Sequence, residues 1–146
     1  MKVVWYEPVL FLAKGGLALK FRPPGGGEPI WWTDVPIGAV SSMAWEGEVF
    51  VPTPHVHEDG LSVIVRCPGG HPRNGIEDPG YDWYVDAPAN NCTRRGEPHR
   101  CWVRHGDPRD GTLHVDKNGD TCAAGAGSIV TPRWHGFLHG GQLRSC

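Results

Sequence analysis

No Cys-x2-Cys pair occurs in the 146 residues, although five cysteines are present. That excludes the ordinary zinc ribbon, whose knuckles present two thiolates in one short turn. No apolar run is long enough to cross a membrane as a helix, so no membrane partner is expected. The opening MKVVWYEPVLFLAKGG has an early lysine, but Glu7 and Pro8 split its apolar part. It reads as strand sequence in a cytosolic chain rather than a secretory leader. A basic excess is also missing: 14 Lys and Arg stand against 16 Asp and Glu, a formal charge of −2. Proteins that grip phosphates carry such an excess, so no nucleic-acid partner is expected. There is no P-loop and no dinucleotide fingerprint. No stretch long enough for a helix keeps a clean period near 3.6 residues.

Turn formers and aromatics are abundant. Glycine occurs 21 times and proline 14 times, without a repeat period. Short elements joined by many turns are expected, rather than collagen or long helices. Seven tryptophans and four phenylalanines argue against a disordered chain. Gly60-Leu61-Ser62-Val63-Ile64-Val65-Arg66-Cys67 is the clearest strand, because its β-branched run suits a sheet. Lys14-Gly15-Gly16 is a turn between two strand-like runs, giving an N-terminal hairpin within residues 3–21. Further short strands are expected at 81–85, 101–105, 112–115, 128–131 and 134–138. The expected fold is mostly β: one domain over residues 1–146, a compact β sandwich or open barrel with long Gly/Pro loops. About eight short strands are predicted, with Leu17, Leu19, Val63, Val65, Trp83, Val103 and Phe137 pointing inward.

The chemistry-bearing residues gather in a Cys/His-rich part over residues 60–146. An odd number of cysteines fits free thiols or metal ligands better than a disulfide framework. Cys67-Pro68-Gly69-Gly70-His71 looks like half of a metal knuckle. The expectation is one zinc held by three or four of Cys67, His71, Cys101, Cys122 and His135. Plainer readings stand beside it: Cys67 and Cys101 as buried small hydrophobes, or Cys92 and Cys101 paired in an oxidising setting. His55-Val56-His57 would share one face of an extended segment and could ligate a metal, or lie in an exposed loop. His135 and His139 share a strand face and are as readily structural. Asp116-Lys117-Asn118-Gly119-Asp120 opens like a calcium loop, but Gly119 and a missing late Glu break the spacing, so it reads as a turn.

Several short motifs occur in a suggestive order: Leu17-Ala18-Leu19, Val65-Arg66-Cys67-Pro68-Gly69-Gly70, Trp83-Tyr84-Val85, Gly127-Ser128-Ile129 and Trp134-His135-Gly136-Phe137-Leu138-His139-Gly140. In that order the chain resembles the DUF6527-like small bacterial and phage proteins. The match spans much of the chain through motifs of a few residues each. One thiol of the family's Cys-x-Cys-Gly is absent at Cys67-Pro68-Gly69, and Pro132 stands where the family has a further Cys. Residues 86–121 look like an insertion. Some relatives in that family resemble partners of ubiquitin-like conjugation systems with a proposed peptidase role. The resemblance implies Ser128 as a nucleophile and His135 as its base, with Asp120 or Asp116 orienting the ring.

Three function classes follow. The first is a phage- or bacteria-encoded accessory protein of the host cytoplasm. It would bind another protein of phage or host, with zinc as a stabiliser. The second is a small hydrolase using Ser128 or a metal. The third is a virion component.

Overall fold

The computed structural model describes residues 1–50, 56–89, 92–117, 122 and 127–146. The fold is mostly β, as expected. Among the described residues there are thirteen short strands, one 3-10 turn at Trp32–Asp34 and no α-helix. The strands are β1 (Val4–Trp5), β2 (Glu7–Ala13), β3 (Gly16–Arg22), β4 (Ala39–Ser42), β5 (Ala44–Trp45), β6 (Glu48–Val49) and β7 (Val63–Pro68). They continue with β8 (Gly80–Tyr84), β9 (Val103–His105), β10 (His114–Asp116), β11 (Ile129–Thr131), β12 (Trp134–His139) and β13 (Gln142–Ser145). This is more than the expected eight, because glycines and prolines cut each run short.

A four-stranded sheet of order β1-β4-β7-β8 forms the centre. Its β7 strand is buried along nearly its whole length. A strand covered on both faces needs an unbroken apolar run, and Val63-Ile64-Val65 supplies it. Side chains alternate across the sheet, so β7 divides two cores. Val63, Val65 and Cys67 join Val3, Val40, Leu113, Val115, Ile129, Leu138 and Leu143 on one face. Ile64 joins Tyr6, Leu19, Phe21, Ala39 and Met43 on the other. The β9–β10 and β11-β12-β13 sheets supply the first core, and the β2–β3 hairpin covers the second. These small open sheets, stacked on both faces of the central one, give the sandwich-like or open-barrel character.

Arg66 follows the same alternation and points toward the second face, 6% exposed. A buried guanidinium requires partners. It donates to Asp78 at 2.7 Å, Asp82 at 3.0 Å and the Val35 carbonyl at 3.2 Å.

Three inward expectations fail or weaken. Leu17 is 50% exposed near the hairpin tip. Val103 is only half-buried, on a short strand. Phe137 is half-buried, whereas its neighbours Gly136 and Leu138 are buried. A one-residue offset flips every side chain of a strand, and β12 turns Leu138 rather than Phe137 to the core. Leu19, Val63 and Val65 are buried, and Trp83 packs against the first core.

Candidate metal centre

The chain leaves β8 at Tyr84 and enters a loop that runs to β9. Both ends of the loop are fixed. Asp86 is 6% exposed. It accepts the Val63 N–H at 3.0 Å and the Arg104 Nε–H at 3.1 Å. Arg104 in turn grips Asp59 through both terminal nitrogens at 2.9 Å. At the far end Trp102 is buried and meets Trp83 edge to face, with centroids 5.2 Å apart. The residue before it, Cys101, is thereby seated at the rim of the first core.

Four ligand-type side chains converge there. Cys92, His99, Cys101 and Cys122 place one sulfur or nitrogen each within 4.8 Å of all the others. Among the described residues this is the one group of three or more His, Cys, Asp or Glu side chains so placed. The Cys101 and Cys122 sulfurs are 3.6 Å apart, and His99 Nε2 lies 3.5 Å from Cys101 Sγ and 3.2 Å from Cys92 Sγ. The edges of a tetrahedron around a zinc ion bound by thiolate and imidazole are about 3.5–3.8 Å long. Two of the three separations match that figure, and the Cys92–His99 edge would open by a few tenths of an ångström.

The surroundings suit a metal as well. His99 Nδ1 donates to the Glu97 carbonyl at 2.9 Å, which turns the Nε2 lone pair toward the sulfurs. This is the usual second contact of a metal-binding imidazole. The Ala89 N–H points at Cys101 Sγ at 3.3 Å and the Arg94 N–H at Cys92 Sγ at 3.4 Å. The Ala89 N–H favours the thiolate form of Cys101. Without a cation, burial pushes the Cys101 thiol up to about 11. A divalent ion reverses that balance, because it supplies the charge that burial withholds. The donor set therefore fits a soft or borderline cation.

The sequence-predicted ligands divide. Cys101 and Cys122 are in the cluster, whereas Cys67, His71 and His135 are not. Cys67 is fully buried in the first core, where burial pushes its thiol well up. The Pro68-Gly69-Gly70 segment after it serves close packing. Thr131 Oγ1 donates to the Pro68 carbonyl at 2.9 Å, and the Arg133 N–H donates to the Gly69 carbonyl at 3.0 Å. Gly69 adopts φ +81°, and a Cβ there would stand 2.5 Å from Thr131 Oγ1 and Trp134 Cβ. His71 is exposed beyond it. Cys92 and His99 complete the cluster instead. His99 stands two residues before Cys101 in a polar loop, and nothing in the local sequence marks it as a ligand. Cys92 and Cys101 are not joined by a disulfide.

Ser128 and His135 do meet. Val130 pairs with His135 across β11 and β12. Ser128, two residues before Val130, is therefore a diagonal neighbour on the same face. Ser128 Oγ lies 2.9 Å from His135 Nε2. His135 is exposed, and Val130 on the same face is 70% exposed. Neither Ser128 nor His135 lines the cavity beside Cys92 and His99, the one beside Trp5 and Arg22, or the one beside Arg66 and Ile76. Asp120, the expected orienting acid, and His55 lie outside the described residues. Asp116 is engaged elsewhere, 3.2 Å from His105 Nε2 and 3.3 Å from His114 Nε2.

No known family, no curated protein and no solved structure matches this chain.

What stands is a Cys/His cluster capable of coordinating a metal ion, on a mostly β scaffold. Among the described residues, no helix is long and apolar enough to cross a membrane.

Proposed function

We propose that the protein is a zinc-stabilised binding module, in which a Cys3His site fastens the long loop before β9 to the first core. The carrying observation is the convergence of Cys92, His99, Cys101 and Cys122. Four protein ligands fill a tetrahedron and leave no coordination position for a substrate, so the ion's role is structural. Iron in the same ligands is the competing occupant, and zinc is preferred because imidazole and thiolate together suit it. The experiment is elemental analysis of tag-free protein. One zinc per chain supports the reading, and metal-free folded protein removes it.

Protein binding is the activity proposed for the module, with a partner of phage or host origin. Support comes from the aromatic side chains beside the hairpin. Trp31 is 47% exposed and meets Phe11 edge to face at 5.5 Å, with the Lys20 ammonium 4.8 Å from the Trp31 ring. Leu12 and Leu17 at the hairpin end are 81% and 50% exposed. An exposed Trp held on Phe11 and Lys20 is the composition of an interface anchor. Capture of one partner from infected lysate, lost on Trp31→Ala, supports this activity. Capture unchanged by Trp31→Ala argues against this face.

The Ser128–His135 contact favours a second reading, a small hydrolase of the kind implied by the DUF6527-like resemblance. In it His135 Nε2 would take the Ser128 proton during attack on an acyl carbon. An active-site fluorophosphonate that labels the parent and not Ser128→Ala supports it; no labelling of the parent rejects it.

A further inference from the structure

We infer that Cys92 and Cys101 form a peroxide-sensitive thiol pair, and that joining them in a disulfide dismantles the metal site. Release of the ion rests on the zinc reading above; formation of the disulfide does not.

The cluster is approached from one side. An open cavity of about 720 Å³ lies against it, and Cys92, His99 and Cys101 line that cavity while Cys122 does not. Cys92 is half-buried, whereas Cys101 and Cys122 are 4% and 1% exposed. Oxidation of a cysteine follows its thiolate character and its access. A small neutral oxidant such as hydrogen peroxide entering the cavity therefore meets Cys92 first. A second thiol must be close for the first oxidation product to end in a disulfide rather than in a higher sulfur acid. Cys101 Sγ lies no more than 4.8 Å from Cys92 Sγ. A disulfide needs about 2.05 Å, and the difference is within the swing of a cysteine side chain. Cys101 also lines the cavity, so the group displaced from Cys92 has a way out. Cys122 is sealed from it.

Both sulfurs react as thiolates. Cys92 Sγ attacks one peroxide oxygen, the O–O bond breaks, and hydroxide leaves as a sulfenic acid forms on Cys92. Cys101 Sγ then attacks Cys92 Sγ, the S–O bond breaks, and a second hydroxide leaves as the S–S bond forms. The two sulfurs give up two electrons to the peroxide, and the hydroxides take solvent protons to become water. His99 and Cys122 are then the only ligands left of the four, too few for a structural zinc.

The test uses the full chain carrying Cys146→Ser, which removes the exposed thiol outside the cluster. Zinc content is measured, and the protein is titrated with hydrogen peroxide. A chromophoric chelator reads released zinc, and mass spectrometry maps disulfides after the remaining thiols are blocked with N-ethylmaleimide. A Cys92–Cys101 disulfide is expected, with about one zinc released for each disulfide formed and both changes reversed by dithiothreitol and fresh zinc. Cys101→Ser removes the second thiol, so dimedone should label Cys92 at least about tenfold more than in the parent. The disulfide map needs no change in the cluster and decides the matter if that variant fails to fold. A Cys101–Cys122 disulfide instead, or dimedone on Cys122 rather than Cys92, overturns the pair. Zinc still bound after the disulfide has formed overturns the release. Zinc bound and both thiols intact, at peroxide levels that oxidise Cys146 in the unsubstituted chain, sinks the switch alone. A Cys92–Cys101 disulfide in folded protein that takes up no zinc sinks the zinc reading alone.

Discussion

Replacing Cys122 by serine separates a metal ligand from a merely buried thiol, provided Cys67→Ser is measured beside it. Cys122 is 1% exposed and sits in the cluster; Cys67 is fully buried and does not. Each substitution puts a hydroxyl into apolar surroundings, which costs about 1–3 kcal/mol whatever the metal does. The ion adds a second contribution for Cys122 only. A ligand bound solely by the folded state and held at about 1,000 times its Kd stabilises by about 4 kcal/mol. For a chain of this length that is a melting shift of roughly 10–20 °C. The assay is a thermal melt in buffered zinc and in a strong chelator. The parent and Cys67→Ser should show the same large zinc-dependent shift, with Cys67→Ser lower in both conditions. Cys122→Ser should lose most of that shift, because a serine hydroxyl is a poor zinc ligand at neutral pH. A full zinc-dependent shift in Cys122→Ser, or its loss in Cys67→Ser, would refute the ligand assignment.

Other outcomes follow from the same geometry. His99→Ala should weaken zinc binding by at least about tenfold in competition with a chromophoric chelator; unchanged affinity would remove His99 from the set. Arg66→Ala strands the Asp78 and Asp82 carboxylates, which are 22% and 17% exposed, and should cost about 3 kcal/mol in urea unfolding. A loss under about 1 kcal/mol would contradict that ion triad's role. Gly69→Ala combines a positive φ with a Cβ clash against Thr131 and Trp134, so a loss of about 2 kcal/mol or more is expected; parental stability would show that the packing relaxes. Burial opposes ionisation of Asp59, but Arg104 and the Leu61 N–H outweigh it and hold its pKa below the usual 3.8. The stability it contributes is present above that value and is lost as pH falls through its lower folded value. Asp59→Asn should therefore flatten the acid end of the melting-temperature profile, and a profile parallel to the parent's would count against the Arg104 pairing.

The fold class was legible because β7 carries its own evidence. Val63-Ile64-Val65 is β-branched and continuous, and the strand is buried on both faces. Leu19 was readable from alternation, but Phe137 was not. Leu138 and Phe137 are both apolar, so the pattern of β12 alone does not say which faces the core. The candidate centre was half legible. Cys101 and Cys122 stood out as thiols, while His99 was hidden in a polar loop that looked like an insertion. Ligands separated by six, one and twenty residues make no local motif. Their convergence depends on Asp86 and Trp102 pinning the loop at both ends, which no short-range pattern records. Cys67 misled for the converse reason, since a Pro-Gly-Gly turn serves close packing as well as it serves a metal.

Zinc-edge X-ray absorption on tag-free protein tests the central claim most directly. The expected first shell is three sulfurs at about 2.3 Å and one imidazole nitrogen at about 2.0 Å. A shell dominated by oxygen, or too little zinc to give a stoichiometric signal from folded protein, would contradict it.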